Sequence, residues 1–351
     1  MLIAALIAVG CASSTEIDDD AAAAFAESST STSTSTSTTT QADTTSTTET
    51  TIIPVITHDD VARVLRTSTD VIAPVVGTFE GGVLIRTPCQ EVAAVTDGET
   101  IDRIQVVIDP GHGGSETGAV SPDQIAEKTV NLQTALIAEQ MLQDAGVEVL
   151  LTRYTDIRMP LVTRAEIADT LDADLLISIH HQASDQFPIS DETGVEVYYQ
   201  QLSDESRRFA GLLVEETRSE FSAFDINWFA QQDAGAVDRP NANTGGDFYG
   251  MLRRPETTAV LAEMAYMGNE EELALMRTGE LQEASARAIT QAALRFLTTD
   301  DPGSGFVDSD VVLTQAGSGG GLGGCIDPDL GATLDLGDEL GELLGEAESD
   351  G

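Results

Sequence analysis

Between residues 104 and 297 the apolar positions change period again and again. Ile104–Asp109 (IQVVID), Val147–Arg153 (VEVLLTR), Leu175–His180 (LLISIH), Val195–Tyr199 (VEVYY) and Ala259–Tyr266 (AVLAEMAY) are short apolar or alternating runs of strand length. Between them the spacing turns helical. Thr129–Ala145 carries Leu132, Leu136, Ala138, Leu142 and Ala145 on one stripe and stops at Gly146. Leu161–Leu171 opens after Pro160, and Asp204–Phe221 and Glu280–Leu297 are amphipathic. Strand and helix in alternation predict an α/β sheet covered by helices over residues 102–299.

The flanks have other patterns. Residues 52–101 contain short β-rich runs, such as Val83-Leu84-Ile85 and Val92–Val95, broken by Gly81-Gly82 and Thr87-Pro88. They read as a small β-rich extension packed on the α/β region. Residues 12–51 include the nearly pure Ser/Thr run 28–51, which has nothing to bury and reads as an extended stalk. Residues 300–351 are rich in Gly, Asp and Ser and read as a disordered acidic tail, with a weak helix over 334–344. The chain opens MLIAALIAVGC, an apolar run too short to span a bilayer and of the form of an export signal over residues 1–11. Its end, Ala8-Val9-Gly10-Cys11, resembles the lipobox of bacterial lipoproteins. That likeness implies an exported, envelope-located protein anchored through a lipid on Cys11. The anchor is then its sole attachment to a membrane.

Charge narrows the partners. The chain has 60 Asp and Glu against 17 Lys and Arg, a net charge of −43, and its first basic residue is Arg63. Nucleic acid needs a basic footprint and is excluded.

The candidate chemistry gathers at strand ends. His112 stands in Asp109-Pro110-Gly111-His112-Gly113-Gly114 directly after the first strand of the α/β region. His180 closes LLISIH, Glu263 lies in the last strand, and Glu127 begins the helix after the first loop. Residues past the carboxyl ends of strands in an α/β sheet converge on one crevice. Two histidines and a carboxylate there suit Zn²⁺ with its fourth position left to water, and a second carboxylate can act as general base.

These residues carry a specific likeness. VVIDPGHGG, AEKTVNL, LLTR, DLLISIH, GVEVYY and AVLAEMAYMGNEEE, in that order, resemble the catalytic domain of the zinc-dependent N-acetylmuramoyl-L-alanine amidases, which trim peptidoglycan. The resemblance implies a mixed β-sheet flanked by helices, phosphorylase/hydrolase-like. It further implies one Zn²⁺ per chain held by His112, Glu127 and His180, with Glu263 as the catalytic carboxylate. Peptidoglycan is the implied partner, and the implied reaction is hydrolysis of the amide between N-acetylmuramic acid and L-Ala. Glu263 must then start ionised, next to the cation. A non-catalytic peptidoglycan-binding lipoprotein and another zinc peptidoglycan hydrolase, such as a carboxypeptidase, are the competing classes.

Some positions depart from the family's pattern. Glu116 stands where the family has Asp, as a rival carboxylate to Glu127. His181 and Gln182 stand where Ala and Asn are usual, and His181 reads as a partly exposed neighbour or substrate contact pointing away from His180. Asp109 reads as a carboxylate orienting a ligand histidine or as a turn anchor. Arg253 reads as a muropeptide contact or a surface arginine. Trp228 and Phe229 read as groove or covering aromatics, and His58 as incidental.

Cysteine arithmetic gives a last expectation. Of three cysteines, lipidation would remove Cys11, leaving Cys89 and Cys325 to pair outside the cytosol.

Overall fold

The computed structural model describes residues 63–183, 187–308, 311–313 and 320–335. The signal, Cys11, the 12–51 stalk, His58 and residues 336–344 of the weak helix lie outside the described residues.

Five strands come first: β1 (Val64–Arg66), β2 (Ile72–Phe79), β3 (Gly82–Arg86), β4 (Val92–Val95) and β5 (Glu99–Ile101). The α/β region comes next as β6 (Val106–Pro110), α1 (Glu127–Asp144), β7 (Val149–Leu151), α2 (Leu161–Thr170), β8 (Leu175–Gln182) and β9 (Glu196–Tyr199). It continues through α3 (Asp204–Phe221), β10 (Gly235–Val237), α4 (Gly250–Arg253), β11 (Ala259–Tyr266), α5 (Glu270–Thr278) and α6 (Glu280–Thr298), and β12 (Thr333–Leu334) comes last. The larger sheet has order β10-β9-β11-β8-β6-β7. Its strands β7, β6, β8 and β11 run parallel, while β9 is antiparallel to β11 and parallel to β10. This is the mixed, helix-flanked sheet that the resemblance implied.

Period-two alternation sorts each strand between two cores. Val106, Ile108, Leu175, Ile177, Ile179, Val260 and Ala262 face the layer of α1, α3 and α6. Val107, Leu176 and Leu261 face the other side, with Met159, Ile167 and Leu252. Val64 and Ile72 join that second core, so the N-terminal sheet is packed onto the α/β body. Helix ends are locally encoded: Ser203 caps α3 by accepting from Ser206 N–H, and Asn269 caps α5. Gly279, at φ +82°, turns α5 into α6 in a left-handed conformation that a side chain disfavours. The helix α5 and strand β10, the latter inside the loop-rich stretch 223–250, have no clear periodic signal in the sequence.

The tail departs from its expected disorder wherever it is described. Phe306 bridges to Ala236 and stacks under the Arg207 guanidinium. Leu313 bridges to Asn241, and Gly320 O accepts from Leu161 N–H at 2.8 Å. The Asp327 carboxylate accepts from Thr87 Oγ1 and Cys89 N–H. Thr333–Leu334, expected to be tail or weak helix, instead pairs as an edge strand with β4. A local reading of composition misses these anchors, because each partner lies far away in the chain.

Cys89 and Cys325 form a disulfide with Cα atoms 5.6 Å apart and a sequence separation of 236. Chain entropy gives an upper figure of roughly 5 kcal/mol for so long a loop. The tail can undock without unfolding the sheet, so the global effect is smaller. Reduction, or Cys325→Ser, is therefore expected to speed amide exchange at Cys89 and Thr96, which donate to Asp327 and Ala332 of the tail. The amides of β6, β8 and β11 should stay protected. Unchanged exchange at both reporter amides would count against a clamp.

Candidate metal centre

The centre begins with a turn that only glycines allow. A Cβ on Gly111 would lie 2.3 Å from the His180 ring, and one on Gly118 2.3 Å from Glu127 Oε2. His112 itself sits at φ +61°, a sparsely populated conformation that the surroundings must enforce. Two buried arginines enforce it. Arg153 donates to Pro110 O, to Gly111 O at 3.0 Å and to Lys128 O at 2.8 Å, tying the turn to the start of α1. Arg164 donates to Pro110 O and to His112 O at 2.6 Å, and its Nη1 lies 2.5 Å from Asp109 Oδ1. Asp109 also accepts from Thr152 and Ser178 and makes no hydrogen bond to a histidine among the described residues, so it anchors the turn through Arg164. Burial works against its charge, but Arg164 and the two hydroxyls hold its pKa below the usual carboxylate range.

This scaffold brings His112, Glu127 and His180 together, with one donor atom of each within 4.8 Å of the others. Glu127 Oε1 lies 3.1 Å from His112 Nε2 and 2.9 Å from His180 Nδ1, while Oε2 accepts from Ala119 N–H. Burial alone would raise Glu127, but its hydrogen bonds to both imidazoles outweigh that and set it well below the ordinary carboxylate value. Burial lowers His180. An ionised carboxylate beside a neutral imidazole is the protonation state a metal site requires. Two imidazole nitrogens and a carboxylate oxygen, converging at the carboxyl ends of β6 and β8, fit zinc as a donor set.

Glu263, on β11, is the register partner of His180 on one side and of Glu196 on the other. Its Oε2 is buried without a hydrogen-bond partner among the described residues. Burial first, then the Glu127 and Glu196 carboxylates, push its pKa well above the ordinary value. Glu196 is fully engaged by the Tyr198 hydroxyl, by Arg239 Nη2 at 3.1 Å and by the Tyr266 hydroxyl at 3.2 Å. Glu116 lies outside the three-donor group; its Oε1 accepts from Arg158 Nη2 at 3.1 Å and from Gly320 N–H at 2.8 Å. His112, His180 and Glu263 open onto a cleft of about 640 Å³.

Other expectations need correction or assignment. His181 does point away from His180, yet it is buried, 1% exposed, rather than a partly exposed neighbour. The strand's far face meets α1, where His181 Nδ1 pairs with Asn131 Oδ1 at 2.7 Å. Trp228 is 4% exposed and packs on Phe221, while Phe229 lies under Arg218; neither lines the cleft. Arg253 does line it. Sequence reading assigned no role to Arg164 or Glu196. The signals were present: Arg164 falls on the apolar stripe of α2, and Glu196 on the inward register of an alternating strand.

A three-donor cluster at strand ends, with an unpartnered buried glutamate on the next strand, has the form of a metallohydrolase centre. A family model described as N-acetylmuramoyl-L-alanine amidase matches residues 106–295, and the chain belongs to that family. Among curated relatives, AmiA of Escherichia coli K12 is 30% identical over 220 residues, 54% of this chain and 75% of the relative. AmiC of Neisseria meningitidis is 24% identical over 227 residues, 55% of this chain and 53% of the relative, so the chain spans about half of that protein. Among solved structures, the amidase AmiC2 of Nostoc punctiforme is 28% identical at a TM-score of 0.47, covering 55% of this chain and 96% of that one.

Proposed function

We propose that the chain hydrolyses the amide joining N-acetylmuramic acid to the L-Ala of peptidoglycan stem peptides, in an extracytoplasmic setting. The observation that carries this reading is the convergence of His112, Glu127 and His180 at the cleft that Glu263 also lines. His112, Glu127 and His180 would hold one zinc ion. Bound there, zinc supplies Lewis-acid polarisation of the scissile carbonyl and the positive field that keeps a neighbouring carboxylate ionised.

The chain's own residues supply the rest. The Glu263 carboxylate, which lines the cleft, takes a proton from the attacking water and hands it to the leaving amine nitrogen. Burial and the neighbouring Glu127 and Glu196 carboxylates disfavour its charge, so the field of a bound cation would be what keeps it ionised as a base. Glu196, the neighbouring carboxylate on β9, is instead engaged by hydroxyl and guanidinium donors. Asn131 donates to Gly111 O and holds His181, fixing α1 and hence Glu127 against the turn. Export through the N-terminal signal, with lipidation of Cys11, is part of the same proposal and accords with an amidase working on the wall.

Mass spectrometry of purified peptidoglycan after digestion tests the reading. Free stem peptides with L-Ala amino termini are expected; loss of terminal D-Ala alone would indicate a carboxypeptidase, and no product a binding protein. Chelation should abolish turnover and added Zn²⁺ restore it. Full activity after exhaustive chelation would refute the metal assignment.

A further inference from the structure

The arginines of this chain are mostly spent on carboxylates, as 60 acids against 17 bases makes natural. Arg158 pairs with Glu116, Arg239 with Glu196 and Asp233, Arg277 with Asp123 and Glu270, and Arg295 with Glu215, Glu216 and Asp301. Arg253 and Arg254 break this pattern. Both are exposed, both line the cleft that holds His112, His180 and Glu263, and neither has a carboxylate partner among the described residues. Arg253 is nonetheless held in place, because its Nη1 donates to Asp247 O at 2.8 Å and Phe248 O at 2.7 Å. That leaves its Nε and Nη2 edge without a hydrogen-bond partner among the described residues. The Arg254 side chain makes no hydrogen bond or ion pair among the described residues.

Two acids beside the cleft, Asp247 and Glu116, are already committed. Asp247 Oδ1 accepts from the backbone and side-chain nitrogens of Gln201, and Glu116 is engaged by Arg158 and Gly320. In a chain of net charge −43, two adjacent guanidinium groups facing a cleft are an unfilled anion site. Arg164 is the other arginine lining the cleft among the described residues, and it is already engaged by Asp109 and backbone carbonyls.

We propose that Arg253 and Arg254 read a free carboxylate on the peptide half of the substrate, so that stems with a free acid at their second residue are preferred over stems amidated there. The inference rests on the amidase reading above. The sugar half of that substrate is uncharged around the scissile bond, and its peptide half carries the carboxylates. A fork of guanidinium donors matches a carboxylate and loses most of its hold on a neutral amide.

The test compares two purified disaccharide-peptides that differ only in a free or amidated carboxyl at the second stem residue. Calorimetry on the zinc-loaded Glu263→Gln enzyme measures binding without turnover, and steady-state kinetics on the wild type measures cleavage. The free acid should bind about tenfold more tightly, with the difference carried in KM. Arg254→Gln and Arg253→Gln should each shrink that ratio, and Arg254→Lys should restore part of it. Ratios within twofold for the wild-type enzyme, or equal losses on both ligands in the variants, would overturn the inference. Selective binding without any cleavage would refute the amidase reading and leave the carboxylate site standing.

Discussion

Glu263→Gln should lower kcat by at least ~10²-fold while zinc stays bound and the fold is unchanged. The amide keeps the carboxylate's shape in a buried position between β8 and β9, so packing is preserved. What disappears is the carboxylate's ability to take a water proton, at a residue that lines the cleft and makes no side-chain hydrogen bond among the described residues. Without metal, burial, Glu127 and Glu196 all disfavour a negative charge at this position, so the metal-free variant should be at least as stable as the metal-free parent. His112→Ala and His180→Ala should behave differently and lose metal and activity together. Parallel measurement of zinc content and turnover separates the roles: a zinc-free Glu263→Gln protein would make Glu263 a ligand.

Arg164→Met should be the most damaging single change to the scaffold, costing about 3–5 kcal/mol in urea unfolding. The pair it breaks is almost fully buried, with side chains 2% and 1% exposed. Asp109 would keep the Thr152 and Ser178 hydroxyls but lose the cation that offsets its desolvation. The carbonyls of Met159, Pro110 and His112 would lose a donor at the same time. Arg164→Met combined with Asp109→Leu removes both charges and should recover much of the stability. It should not recover activity, since the His112 turn still lacks its tie. A cost below about 1 kcal/mol for the single variant would mean that Arg153 alone holds the turn.

The strands and long helices were legible because their information is local. Leu175–His180 and Ala259–Tyr266 announce themselves within eight residues, and Asp204–Phe221 within five turns. His112, Glu127, His180 and Glu263 were legible as candidates because they fall in or at the ends of strands or at a helix start, and lie in segments that resemble one family. What escaped depends on pairs distant in the chain. Asp109 and Arg164 are 55 residues apart, and Gly320 meets Glu116 across 204. The burial of His181 depends on which helix covers the far face of β8, and nothing near His181 specifies that. The tail's composition argued for disorder, but a disulfide, Phe306, the Asp327 carboxylate and the pairing of β12 with β4 seat it.

That seating bears on how the molecule can be cut. Thr299 looks like the natural end of the α/β region, and a fragment stopping there would keep all three donor residues and Glu263. It would also strip the cover from β10 and leave β4 with an open edge, an invitation to pair with another chain. Gly320 and Gly321, which wall the cleft beside Glu116, would be gone. Glu116 would then be held by Arg158 alone, at the rim of a centre built to attract cations. A fragment meant to report the native metal affinity should therefore run to at least Asp335.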